Sequence, residues 1–209
     1  MTEPTVTTSG TGRRTAKPDI AEVQLWVEGR HDSAEVTHRK ARDREAAVRE
    51  ALSTTDVPED CVRTTDTRIE NRESGFEFTN EDPDYRTELS LTVDCLPETA
   101  GTVVCTALDS VTGIGVENVR FDIGDAERRR LGEAALTEAT ETARRQAEAI
   151  AAAEERSVGE VIEVTTDHRV NRMESIVDDA LASTTGDFEP TPVEVEASVK
   201  ATFELEDRE

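Results

Sequence analysis

Val193-Glu194-Val195-Glu196-Ala197-Ser198-Val199-Lys200-Ala201-Thr202-Phe203-Glu204-Leu205 alternates apolar and polar residues without a break. Successive side chains of a strand point to opposite faces, so the Val, Ala, Phe and Leu residues line one face and the Glu, Ser, Lys and Thr residues the other. A strand of this kind rests one face on a core and leaves the other in water, as in an antiparallel sheet covered on one side. Something must cover the apolar face, and the residues upstream supply it. From Asp125 to Glu155 the chain is rich in Ala, Glu and Arg, with Leu131, Ala135, Ala139, Ala143, Ala147, Ile150 and Ala151 along one side of a helix. Alanine at that spacing predicts a helix packed closely on the sheet.

The same alternation recurs outward along the chain. Ala21, Val23, Leu25 and Val27 point one way and Glu22, Gln24, Trp26 and Glu28 the other; Leu89, Leu91, Val93 and Cys95 oppose Glu88, Ser90, Thr92 and Asp94; Val119, Phe121 and Ile123 oppose Asn118, Arg120 and Asp122. Weaker strands are expected at Val6 to Thr15, Val62 to Asn71 and Gly159 to Thr166. A second helix is predicted over Ser33 to Leu52, with Ser33 as N-cap and an apolar stripe of Ala41, Ala47, Val48, Ala51 and Leu52. A third runs from Leu96 to Val111, with Pro97 and Glu98 in its first turn and Gly113 beyond its end. The order reads ββαββαβαββ, an α+β layout with an antiparallel-rich sheet and helices packed on a face. One domain is expected over residues 1–209. Two segments read as loops: Arg72 to Asp84 at a hairpin tip, and a loop-rich insertion over about 168–192, with Met173 to Leu181 as a short helix inside it.

Charge separates the remaining function classes. The chain has 47 Asp+Glu against 24 Lys+Arg, a net charge of −23, spread along its whole length. Lys17, Lys40 and Lys200 are the lysines, so 24 − 3 leaves 21 arginines. Like charge at this density opposes compaction in dilute buffer, but in molar salt the Debye length falls to about 3 Å and the repulsion is screened. The composition resembles that of cytoplasmic proteins from salt-accumulating archaea. Nucleic acid is excluded as a partner, because its binding needs a basic stripe, and Arg128-Arg129-Arg130 is flanked by Asp125, Glu127 and Glu133. No stretch approaches the roughly 20 apolar residues of a membrane span, and the N-terminus reads as no secretory signal, so a cytoplasmic chain is expected. Cys61, Cys95 and Cys105, odd in number and without a CxxC, are expected to be free thiols.

The chemistry-bearing residues form no catalytic or cofactor constellation. His31, His38 and His168 lie among polar neighbours without HxH or HExxH spacing and read as surface histidines. A calcium-loop alignment from Asn80 places Asp82 and Asp84 well but puts Tyr85 at the glycine position and Leu91 at the bidentate glutamate position. Gly10-Thr11-Gly12 opens no helix and reads as a strand bend or bulge. No GxSxG or SxxK occurs, so no hydroxyl has a placed base. Neither a metal nor a cofactor is expected.

The order of motifs resembles the SIMPL-domain family. Its opening V-x-G-x-G strand is similar to the run from Val6 to Gly12, and its K-P-D-x-A element to Lys17-Pro18-Asp19-Ile20-Ala21, followed by Val27-Glu28. Glu59 to Thr64 resembles the family's D-I-x-T strand, Tyr85 its tyrosine before the fourth strand, and Glu117 to Phe121 its N-x-V strand. The long alanine helix ending in a G-x-V strand resembles Ala134 to Val161, and Glu194 to Val199 the terminal strand. The family's usual glycine before the tyrosine is Asp84 here. The resemblance implies no catalytic residues, some ring-building members and a link to stress tolerance. The expected function is therefore non-enzymatic association, with a homo-oligomer or a protein partner; the alternative is a hydrolase or ligand-binding enzyme whose site assembles only in three dimensions. Trp26 and Ile20, on the strand face away from Ala21, Val23, Leu25 and Val27, are the expected interface, together with an exposed sheet edge at the strand ending at Leu205.

Overall fold

The computed structural model describes residues 4–71, 83–171, 174–175 and 190–207. The elements follow in the order β1 (Thr5–Ala16), β2 (Ile20–His31), α1 (Ala34–Leu52), β3 (Val62–Asn71), β4 (Tyr85–Cys95), α2 (Ala100–Ser110), β5 (Ile114–Asp122), α3 (Asp125–Ala153), β6 (Arg156–Asn171), β7 (Glu174–Ser175) and β8 (Val193–Asp207). The fold is α+β, and both its sheets are antiparallel. The chain divides into two compact units, one of Met1–Lys17, Ile123–Arg172 and Pro192–Glu209, the other of Pro18–Asp122 and Met173–Thr191.

The first unit is a three-stranded sheet, β1-β8-β6, with α3 on one face. Val195, Ala197, Val199, Ala201 and Phe203 of β8 are buried, as their alternation requires; Val199, Ala201 and Phe203 meet Ala139, Ala143 and Ala147 of α3, and Val195 joins Leu131 of α3 in a second cluster. Gly10 and Gly12 of β1 stand on the same face. A Cβ at Gly10 would collide with the carbonyl oxygen of Ala139, and one at Gly12 with that of Ala135. The helix backbone thus rests directly on the strand, and the Thr8 hydroxyl, also buried, donates to the Ala143 carbonyl at 2.7 Å. The register of β1 with β8 is unbroken from Thr5 to Ala16, so the two glycines make no bulge; close helix approach is their reason. Ile150 leaves the buried stripe and is 47% exposed, because the stripe continues from Ala147 to Ala151 by steps of four.

The second unit is the sheet β3-β4-β2-β5-β7. Its inner face, formed by Ala21, Val23, Leu25, Val27, Leu89, Leu91 and Val93, packs against Ala41, Val48 and Leu52 of α1 and Ala100, Val103 and Ala107 of α2. Ser33 holds the N-cap position of α1, but its hydroxyl makes no capping bond; instead Thr37 donates to the Ser33 carbonyl at 2.9 Å and His31 Nδ1 accepts from the Ser33 N–H at 3.1 Å. The predicted start of α2 is a single 3-10 turn, Pro97–Thr99, before the helix proper.

Three expectations are corrected. The strand ending at Leu205 is no edge: β8 is central, paired on one side with β1 and on the other with β6, because the N-terminal strand returns to it. The loop expected from residue 168 begins later, since β6 stays paired with β8 through Asn171. Glu174–Ser175 pairs with β5 where a short helix over Met173 to Leu181 was expected, and the rest of that helix lies outside the described residues. So does the calcium-loop alignment at Asn80, Glu81 and Asp82.

Candidate functional site: the open face of the five-stranded sheet

The side of β2 away from the core carries Ile20, Glu22, Gln24, Trp26 and Glu28, and among the described residues α1 and α2 of this unit pack on the opposite, inner face. Cross-strand neighbours follow from register: Trp26 opposes Ser90, Gln24 opposes Thr92 and Glu22 opposes Asp94 on β4, while Trp26 opposes Gly115 on β5. A shallow concavity of about 820 Å³ opens here, lined among others by Trp26, Gln24, Arg63, Arg86, Glu88 and Glu117.

Trp26 sits where it does because Gly115 is bare. A Cβ at Gly115 would stand 2.5 Å from Cε2 and 2.7 Å from Nε1 of the indole, so the ring occupies the space a side chain on β5 would fill. Covering a cross-strand glycine with an aromatic ring protects an otherwise naked stretch of sheet. The expected site residues therefore share a face without forming one site. Ile20, 37% exposed, lies six residues before Trp26, about 20 Å along the strand, and does not line the concavity.

Around the indole the charges engage one another. Glu28 and Glu88 are directly opposed across β2 and β4, an arrangement that repels when left alone. Arg86 lies between them, with Nε 3.0 Å from Glu28 and Nη2 3.1 Å from Glu88, and Arg30 reaches Glu28 at 2.9 Å. Arg63 pairs with Asp94 at 2.7 Å, and Gln24 Nε2 donates to Glu22 at 2.8 Å.

Among the described residues one charged side chain is buried, and the sequence pattern gives little sign of it. Glu45, on the buried side of α1, is 4% exposed and was hidden among the many acidic residues. It accepts from the Thr64 hydroxyl, from Arg49 Nε at 3.1 Å and from Arg42 at 2.7 Å. Burial alone would raise its pKa, but the hydrogen bonds from Thr64 and Arg49 and the charges of Arg42 and Arg49 outweigh it and hold the carboxyl below its ordinary value. Arg49 also donates to the Val62 carbonyl at 2.6 Å, so the cluster ties α1 to β3. Its sequence signal was the i, i+4 spacing of Glu45 and Arg49. Arg130, in the basic triplet, pairs with Glu127 at 2.6 Å. Among the described residues no group of three or more His, Cys, Asp or Glu could hold a metal ion, and no helix is long and apolar enough to cross a membrane.

Comparison with known families decides the lineage. The model of the SIMPL family, described as a protein of unknown function (DUF541), matches residues 6–203. The chain belongs to the SIMPL family. That span runs from the buried start of β1 to Phe203 on β8, so both sheets of this SIMPL chain fall inside the match. No curated protein matches it. Among solved structures, a crystal structure of an unknown protein from Galdieria sulphuraria aligns over 89% of this chain and 84% of that one, at 11% identity and a TM-score of 0.24.

Proposed function

We propose that this SIMPL-domain chain is not an enzyme and acts by association, with further copies of itself or with a protein partner, through the open sheet face around Trp26. The observation that carries this reading is the state of that face. The protein's one tryptophan stands on the uncovered side of the sheet, while the carboxylates and guanidiniums near it already engage one another. Exposed ion pairs contribute at most about 1 kcal/mol each, so a partner can rearrange them at small cost, whereas tryptophan and arginine are the side chains that anchor interfaces. The compartment that fits is a reducing, salt-rich cytoplasm, supported by the net charge of −23 and three free thiols. A role in stress tolerance rests on the family resemblance alone.

The size of the concavity and its mixture of an indole with both signs of charge favour a second reading, a small polar ligand bound on the same face. A pull-down in molar salt, with wild-type and Ser90→Arg baits, separates the two. Association predicts that a protein, or the chain itself, is retained by the wild type and lost on Ser90→Arg. Retention of the same proteins by both baits sinks the reading, and a small molecule carried by the wild type alone replaces it with the second.

A further inference from the structure

We propose that Cys61 and Cys95 are a redox pair that closes into a disulfide under oxidation, tying the start of β3 to the end of β4. The register brings them together. Val62 opposes Val93, so Cys61 and Cys95 sit at the same end of the β3–β4 pair, staggered by one residue. Cross-strand Cα separations of roughly 4.5–5.5 Å, with a stagger of about 3.3 Å, place diagonal neighbours about 6 Å apart, inside the span a disulfide bridges.

Facing is the second requirement. Cys95 continues the inward series Leu89, Leu91 and Val93 and stands opposite Ala21, a fully buried residue. Strict alternation would turn Cys61 outward, but Cys61 is not in the strand. It closes the single 3-10 turn Glu59–Cys61, its N–H donating to the Pro58 carbonyl at 3.0 Å, and it packs against the same apolar cluster as Cys95. Both thiols are half-buried and free. Burial first, then the neighbouring Asp94 and Cys61, push the Cys95 thiol up to about 11, so the two sulfur groups sense each other electrostatically. The Arg63 guanidinium, held mainly by its hydrogen bond to Asp94, also senses Cys61. Cys61, in the turn at the end of the strand pair, is the sulfur that reacts first with the oxidant.

The chemistry balances with a hydroperoxide as oxidant. The Cys61 thiolate attacks the terminal peroxide oxygen, the O–O bond breaks, and the sulfur leaves as a sulfenic acid while the peroxide departs as the alcohol or water. The Cys95 sulfur then attacks Cys61 Sγ, the S–O bond breaks, and water carries away the oxygen with the Cys95 proton. A dithiol reductant returns both thiols. Cys105, exposed on α2, takes no part.

The test is a thiol count on the folded full-length chain before and after mild hydrogen peroxide, read after denaturation without reductant, with proteolytic mapping of linked peptides. The expected result is a fall from three thiols to one, recovery of a Cys61–Cys95 linked peptide, and full reversal by dithiothreitol. Cys105→Ser should lose both of its remaining thiols in the same way. Three thiols surviving peroxide, or a loss that Cys105→Ser abolishes, would overturn the proposal.

Discussion

Glu45 is a single buried side chain that helps tie α1 to β3 through Thr64 and Arg49. Its folded pKa is depressed, so its contribution is fully present above the unfolded carboxylate value of about 4.3 and disappears as pH falls through the lower folded value. Glu45→Gln keeps the shape but leaves Arg49, Arg42 and Thr64 without their acceptor charge. We expect a loss of about 1–3 kcal/mol at neutral pH, measured by urea denaturation, and a shallower loss of stability below about pH 5 than in the wild type. An unchanged midpoint at both pH values would show the cluster to be incidental. Such residues were poorly legible beforehand: a buried glutamate in so acidic a chain has no composition signal, and only the fold brings Thr64 to it. Gly10 and Gly12 were visible but misread, because a strand glycine that admits a helix backbone looks, in one dimension, like a bend.

At the scale of elements, alternation was legible wherever one face is buried, which is why β2, β4 and β8 were found with their faces correctly assigned. Partners were not legible. The periodicity of β8 says that it is half-buried and nothing about which strands flank it, so its central place between β1 and β6 emerges only from the fold. The reach of β6 was underread for a related reason. Asp167 to Asn171 is mostly polar and lacks the pattern, yet backbone pairing with Glu194 to Ser198 carries the strand on. Within β6, Val161, Ile162 and Val164 are each about half exposed, beside two register shifts against β8. Amide hydrogen exchange checks this order: the β8 amides, bonded on both sides, should be the slowest of the sheet, and alternate amides of β6 should exchange much faster. Equal protection along β6 and β8 would contradict the assigned strand order.

For the whole molecule, the dominant quantity is the net charge of −23. Many of its arginines are spent on local pairs, such as Arg13 with Glu196 at 2.8 Å and Arg63 with Asp94 at 2.7 Å, but acidic residues outnumber basic ones too heavily for pairing to neutralise the surface. Screening should therefore stabilise the fold, and the melting temperature should rise as potassium chloride goes from dilute to molar. A flat or falling melting temperature would remove the case for a salt-rich habitat. Association through the Trp26 face is read by light scattering in molar salt at micromolar concentration, on the wild type, Trp26→Ala and Ser90→Arg. The expected result is a multimer, or a complex with a purified partner, that either substitution reduces to the single-chain mass of 22.9 kDa while the melting temperature of Ser90→Arg stays close to wild type. A wild-type chain that remains at that mass alone and with its captured partner, or a multimer that both substitutions leave intact, would contradict it.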